Sequence, residues 1–495
     1  MIPEERTGKA GGQSGKTLPK TLATDVSRMG RTAALLCLLT ALALGGLAQA
    51  QLAQDRIAPG LALYAVAIPL FAAAVSRSGG QRQAEDDRHR LALNLPDVRL
   101  RTGRGRLVGA ALCALAIVFS IVSLVLFLSD AGQTGLAWSA YAASLLLFVA
   151  GIRQASPAAR MRSSIPRAEL ALLGAILLLA LLLRVLRLAE YPYGIWYDEA
   201  QIGLEARAAL QNLAALPVYA PSASQIAHHL FLFAASLRLF GDTIFGLRMT
   251  SALFGVAGVL AAYLLGREYR GGRWGLLLAF IVATMRWHVN FSRIAMNGVD
   301  APFFEFLALY FAVRLLRRPS GTLVSAAGLG LSVGLGLCFY SATRLFVAAL
   351  CLFAAGWWLV TKLRRRSGRQ PALSAGNDRS SVGAALCVGV LLVTVCLAVM
   401  PTAQFALRHP EIFWKRTQQV SIFAKAGDAD KVQLLADNVE KHLLMFNYRG
   451  DRNGRHNLPN APTVDHVTGV LLFLGLAVAL ARRDALGHFF WLMLP

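Results

Sequence analysis

Thirteen apolar runs dominate the chain, at roughly 32–49, 59–75, 108–129, 136–152, 169–188, 247–266, 274–291, 301–316, 322–338, 345–361, 382–400, 466–481 and 486–495. A helix needs about 20 apolar residues to cross the hydrocarbon core. Within lipid, each backbone N–H and C=O must be satisfied inside the protein, so spanning segments are helices or closed barrels. Runs of this length predict an all-α polytopic membrane protein with about 12–13 transmembrane helices. A mean hydropathy of +0.52 agrees.

The net charge of +23 would suit nucleic acid, but no nucleic-acid motif is present. Most arginines sit in short loops between apolar runs, where they set orientation and meet anionic lipid. Loops 76–107, 153–168 and 362–381 are rich in Arg and read as cytoplasmic. Loops 51–58 and 130–135 are nearly free of Lys and Arg and read as external. Counting through places 189–246 and 401–465 outside. The short run 226–240 contains Arg238. Were it to span, the basic loop 266–275 would fall outside, so it reads as an amphipathic helix in the membrane interface.

The expected organisation is a cytoplasmic basic tail at 1–31 and an additional N-terminal transmembrane region at 32–160. A catalytic transmembrane core at 165–400 carries the external loop 189–246. An external loop domain at 401–465 and a C-terminal transmembrane region at 466–495 complete it. "AQA" at 48–50 resembles a signal-peptidase site, but the first run reads as an uncleaved span. The last run is about half a span, so the natural chain is expected to continue past Pro495. All six cysteines lie in apolar runs without metal spacing and read as packing residues. "GLGLSVGLG" at 328–336 lies inside a run. Its Gly330 and Gly334 suit close helix approach, not phosphate binding.

"YPYGIWYDEAQ", 191–201, puts Asp198 and Glu199 just past a span, among aromatic residues that favour the interface. Asp198 followed by Gln201 is a capping-box pattern for a helix at 199–213. Asp300 ends the next external loop, with Pro302 in the first turn of the run behind it. Arg293 lies seven residues before Asp300. Charges at membrane depth are costly and face polar cavities or partners. Arg248 is either such a charge or a snorkelling one. In the external loop, 428–446 reads as an amphipathic helix with Val432, Leu435, Val439, Leu443 and Phe446 on one face. The following "NYRGDRNGRHNLPNAP" and the upstream Lys415 and Arg416 are dense in cationic donors, which suit phosphate.

The stretches "YDEA", "LFGDTIFGLRMTSALFGVAGVLAAYLLGREYRGGRWGLLLAF", "SRIAMNGVDAP", "YSATRLF" and "NYRGDRNGRHNLPNAP" resemble the GT-C class of polyprenyl-phosphate-sugar-dependent glycosyltransferases. Within it they are similar to the protein O-mannosyltransferase and lipid A aminoarabinose transferase superfamily. The resemblance covers about 165–480, and residues 1–160 match no part of it. It implies a GT-C-type bundle in the plasma (inner) membrane, with its active site on the extracytoplasmic face. It implies inverting transfer of a hexose or pentose from a polyprenyl-phosphate donor to a protein, lipid or glycan hydroxyl.

By resemblance Asp198 is the general base, Glu199 orients it or binds sugar, and Asp300 completes the acidic face. Metal use varies across the class; a divalent cation, if used, would sit on Asp198 and Asp300. His228 stands where many members carry a His- or Lys-Pro-Pro motif, here "AHHLF" without the prolines. Arg416 and Arg449 are the phosphate candidates, with Arg248, Arg293 and Arg344 as further substrate contacts. The rival readings are a flippase or transporter and a non-catalytic binder of lipid-linked sugars. Clustering of the charges in external loops disfavours a transporter.

Overall fold

The computed structural model describes residues 20–77, 100–129, 132–157, 165–221, 224–317, 322–366, 378–421, 431–454 and 457–482. The first nineteen residues of the basic tail, most of loop 76–107, Arg455, His456 and the final run 486–495 lie outside the described residues. Close contacts divide the chain into two units: residues 1–86 with 470–487, and residues 87–469 with 488–495.

The first unit holds α1 (Lys20–Ala53), α2 (Ile57–Arg77) and most of α17 (His466–Arg482). Ala67, Val470 and Leu474 form its core with Leu42, Ile68 and Phe71. Tyr64 donates from Oη to Gln49 Oε1 at 2.9 Å, which satisfies both polar groups inside an apolar pair.

The second unit holds α3 (Arg104–Leu128), α4 (Thr134–Ala155), α5 (Arg167–Val185), α6 (Tyr197–Gln211), β1 (Tyr219–Ala220), β2 (Gln225–Ile226), α7 (His228–Phe240), α8 (Ile244–Arg270), α9 (Gly272–Thr284), α10 (Arg286–Phe291), α11 (Asp300–Arg317), α12 (Thr322–Phe339), α13 (Thr343–Arg366), α14 (Asp378–Arg408), α15 (Pro410–Val420) and α16 (Lys431–Leu444). Among the described residues, nine helices are long and apolar enough to span a membrane. The chain is thus an all-α protein built for a membrane. The run 274–291 is not one helix: Met285 turns extended, with ψ 116°, and separates α9 from α10. The run 226–240 forms only the 13-residue α7, too short to cross. The span at 382–400 continues through Pro401 to Arg408, so the first residues assigned to the external loop domain are helical.

Of these helices α8 and α12 are the most buried candidate spans. Gly330 and Gly334 let α12 approach α14: a Cβ on Gly330 would stand 2.6 Å from the Leu391 carbonyl, and one on Gly334 2.6 Å from Ala398 Cβ. Pro401 interrupts the hydrogen-bond ladder of α14. Beside that break the Ala398 carbonyl accepts Tyr141 Oη at 2.7 Å and Cys338 Sγ at 3.5 Å.

Within the N-terminal region at 32–160, α3 and α4 fall in the second unit. Trp138 Nε1 and Thr134 Oγ1 donate to the carbonyls of Pro217 and Leu216. The loop after α6 is thereby held on the start of α4.

Three arginines close helix ends. C-terminal carbonyls lack intrahelical donors and carry partial negative charge. Arg408 donates to Phe127 and Leu128 at the end of α3. Arg184 donates to Val282 and Ala283 at the end of α9. Arg317 donates to Glu268 and Tyr269 at the end of α8.

Candidate active site

The acidic pair sits at the start of α6. The helix begins at Tyr197, with Trp196 as its cap in extended conformation. Asp198 is therefore the second helical residue and Glu199 the third. An acid at the third position reaches back to the cap N–H, and Glu199 Oε2 accepts the Trp196 N–H at 3.2 Å. The Asp198 capping-box reading and the helix limits 199–213 are corrected accordingly. Gln201 bonds forward to Glu205 at 3.3 Å.

Glu199 is 1% exposed and Arg248, one turn into α8, is 0% exposed. Arg248 Nε and Nη2 grip the two Glu199 oxygens at 3.0 Å each. Its remaining N–H groups go to the carbonyls of Leu188 at 3.1 Å, Pro192 at 3.0 Å and Gly194 at 2.6 Å. A guanidinium has five N–H donors, and all five are committed inside the protein. Arg248 does not snorkel, and it has no N–H left for a substrate phosphate. Glu199 Oε1 also accepts the Ala295 N–H at 2.6 Å. One ion pair therefore joins α6, α8, the 188–194 segment and the 292–300 turn.

Arg293 clasps the same segment from the other side. It donates to the carbonyls of Leu183 and Leu186 at 2.8 Å, closing the end of α5, and to Tyr191 at 3.2 Å. Beneath it lies Arg184, 0% exposed. Arg184 bonds Ser292 Oγ at 3.2 Å and His288 Nδ1 at 2.8 Å. Since Arg only donates, His288 accepts at Nδ1. Gly255 and Gly258 on α8 make room: a Cβ at 255 would stand 2.6 Å from Arg184 Nε, and one at 258 would stand 3.2 Å from His288 Nε2. Asp300 is buried at the start of α11 and accepts the Gly298 N–H at 2.8 Å.

His228 opens α7 inside an aromatic cage of Trp138, at 4.8 Å, and Tyr141, at 5.4 Å. Tyr141 Oη donates to Ala398, so it accepts from His228 Nε2 at 3.1 Å. Burial, with His229 alongside, pushes His228 down to about 3. It is a neutral, enclosed imidazole. Arg344 belongs elsewhere, with its guanidinium 4.7 Å from the Phe413 ring and 3.3 Å from Thr417 Oγ1 on α15. Arg416 is exposed on that helix, and Arg449 is exposed beyond α16 beside the Tyr448 ring.

The structure thus gathers Glu199, Arg248 and Arg293 around one segment and one turn, and that turn leads to Asp300. Arg344 and Arg416 form a second group, and Arg449 lies in a third. Arg184 and Tyr141 escaped the sequence reading. An arginine inside the run 169–188 was a usable signal; Tyr141 offered none. Among the described residues no group of three or more His, Cys, Asp or Glu side chains converges to hold a metal ion, so Asp198 and Asp300 have no third ligand of that kind. Asp198 is half-buried; enclosed Glu199 follows it in sequence, and exposed Tyr193, Trp196 and Tyr197 precede it.

The protein family described as dolichyl-phosphate-mannose-protein mannosyltransferase matches residues 228–376. No curated protein matches the chain. A solved structure of the S. cerevisiae protein O-mannosyltransferase Pmt1–Pmt2 complex bound to the sugar donor is 16% identical, with a TM-score of 0.39. The similarity covers 54% of this chain and 36% of that chain, so the chain spans about a third of that relative's length. The family match is confined to residues 228–376, and over that stretch the chain is similar to the dolichyl-phosphate-mannose-protein mannosyltransferases.

Proposed function

We propose that the protein is a membrane glycosyltransferase that moves a sugar from a polyprenyl-phosphate donor to an extracytoplasmic acceptor hydroxyl, with inversion. One observation carries the assignment of roles within the acidic pair: Glu199 is enclosed by Arg248, while its neighbour Asp198 stays accessible at the rim. Asp198 accepts the acceptor hydroxyl proton as general base. The acceptor oxygen attacks the anomeric carbon, the bond from that carbon to the phosphate oxygen breaks, and the lipid phosphate leaves with the electron pair. Glu199 acts indirectly, by fixing the first turn of α6. In this reading the exposed cations Arg416 and Arg449 are the candidates to receive leaving-group charge.

The test is Asp198→Asn in full-length protein, assayed with labelled polyprenyl-phosphate-mannose. Asn at this position keeps the size and polarity of the side chain, so insertion and folding are expected to persist. Transfer should fall by roughly 10²–10⁴-fold, the scale for losing a positioned base. Wild-type transfer by Asp198→Asn would remove this residue from the mechanism. The external placement has its own test. In intact cells, a cysteine at Asn212 should react with an impermeant reagent, and one at Arg270 should not.

A further inference from the structure

The segment 186–196 has no regular secondary structure, yet its backbone is held at many points. The carbonyls of Leu188, Pro192 and Gly194 end on Arg248, those of Leu186 and Tyr191 end on Arg293, and the Trp196 N–H ends on Glu199. Leu188 is buried, but the aromatic side chains where the segment meets α6 are turned outward: Tyr193 is 80% exposed, Tyr197 72% and Trp196 43%. The Trp196 and Tyr197 rings lie 5.4 Å apart, inclined by 40°. Asp198 follows directly in sequence. Rings that only anchor a chain in the headgroup layer need no fixed backbone. A surface ordered in advance lowers the entropic cost of binding.

We infer that Tyr193, Trp196 and Tyr197 form a preorganised platform that binds the acceptor, and that the acceptor is an uncharged saccharide whose ring lies on the aromatic faces with a hydroxyl directed to Asp198. This rests on the glycosyl-transfer reading. Two observations select the occupant. The bordering cations are occupied, with Arg248 and Arg293 on carbonyls and Arg187 paired with Glu190, so the platform shows aromatic faces and a carboxylate and does not suit a phosphate. The five carbonyls named above are already used, which closes them to strand-like pairing with an extended peptide. A sugar ring needs neither. It offers apolar C–H faces to aromatic rings and hydroxyl donors to a carboxylate.

The experiment uses the full chain in lipid nanodiscs and saturation-transfer NMR with mannotriose, maltotriose, chitotriose and a Ser/Thr-rich peptide. At least one trisaccharide should receive saturation at its ring C–H protons. Its affinity should drop about tenfold or more in Trp196→Ala and Tyr197→Ala, the scale of losing an anchoring aromatic, and less in Trp196→Phe. These side chains are exposed, so unchanged thermal unfolding is the expected folding control. Binding should persist in Asp198→Asn even though transfer falls, which separates the platform from the base. Binding of the peptide alone, binding of no trisaccharide, or saccharide binding indifferent to both alanine variants would each overturn the inference. Saccharide binding without any transfer by the wild type would instead count against the enzyme reading and leave the platform standing.

Discussion

The rim around α6 and the outer stretch from α15 to Pro462 are both rich in arginine and both carried candidate residues, but they use charge differently. At the rim, Arg248 and Arg293 are committed to a carboxylate and to backbone carbonyls. On the outer stretch, Arg416 and Arg449 are exposed, and α16 buries no residue at all. A charge taken out of water must be paired and hydrogen-bonded, so the rim arginines determine where the backbone goes. A solvated arginine carries no such desolvation cost and imposes no such constraint on the backbone. The most conspicuous buried charges therefore fix the backbone around α6, and the exposed ones do not.

The largest effect expected from this contrast is on folding. Arg248→Met would leave Glu199 buried and unpaired, a loss of about 3–5 kcal/mol. Arg248→Lys should rescue little, since an ammonium cannot match a five-donor fork. Combining Arg248→Met with Glu199→Leu should recover part of the loss, because removing both charges is far cheaper than removing one. Thermal unfolding in nanodiscs reads all three. A stable Arg248→Met protein would mean that the rim is not braced as described.

Gly255→Ala sharpens the same point one layer deeper. Its methyl would meet Ser292 Oγ and stand 2.6 Å from Arg184 Nε, and overpacking of this kind costs about 1–3 kcal/mol. Gly174 on α5 is the control, since nothing lies within 4 Å of a Cβ there. Gly174→Ala should be neutral or stabilising by up to about 1 kcal/mol from helix propensity. Equal effects at the two glycines would show that the Arg184 cluster does not depend on the bare face of α8.

Helix type and the main spans were legible because apolar length is a local property of the chain. The helix limits expected for 428–446 also agree well with α16 (Lys431–Leu444). The division of labour in the acidic pair was not legible. Adjacent helical residues point about 100° apart, so moving the helix start from 199 to 197 exchanges the capping and accessible positions. The sequence flagged Arg248 as a costly charge but held nothing to say that its partners are Glu199, 49 residues earlier, and the carbonyls at 188, 192 and 194. Tyr141 was further out of reach. It lies in a stretch that resembles nothing in the family, yet it bonds His228 and the carbonyl beside the Pro401 break.

On the outer stretch the expected effects are smaller. Asn457 is 2% exposed, and its Nδ2 bridges the carbonyls of Ala461 at 2.9 Å and Pro462 at 3.1 Å. Asn457→Ala should cost about 1 kcal/mol for the lost hydrogen bonds. The loss should appear as faster hydrogen exchange confined to 447–464, with global unfolding little changed. Global destabilisation on the scale of Arg248→Met would erase the distinction between the two regions.

The smallest stability effect should come from Arg416→Ala and Arg449→Ala. Both side chains are exposed, and surface substitutions away from special features usually stay within about ±0.5 kcal/mol. Function is where these two should differ from an ordinary surface position. If they receive the donor phosphate, each alanine variant should bind polyprenyl phosphate more weakly in a nanodisc titration. The deficit should shrink as salt rises, because exposed charges are screened within about 10 Å at 0.1 M salt. Lysine should restore part of the binding as a point charge but not the bidentate geometry. Arg248→Lys should lose the fold and Arg416→Lys should keep it, so one conservative change reports structure at the rim and binding on the outer stretch. If both alanine variants bind polyprenyl phosphate like the wild type, these arginines are only a solvated face, and the phosphate contact must be sought at Arg344, already beside α15.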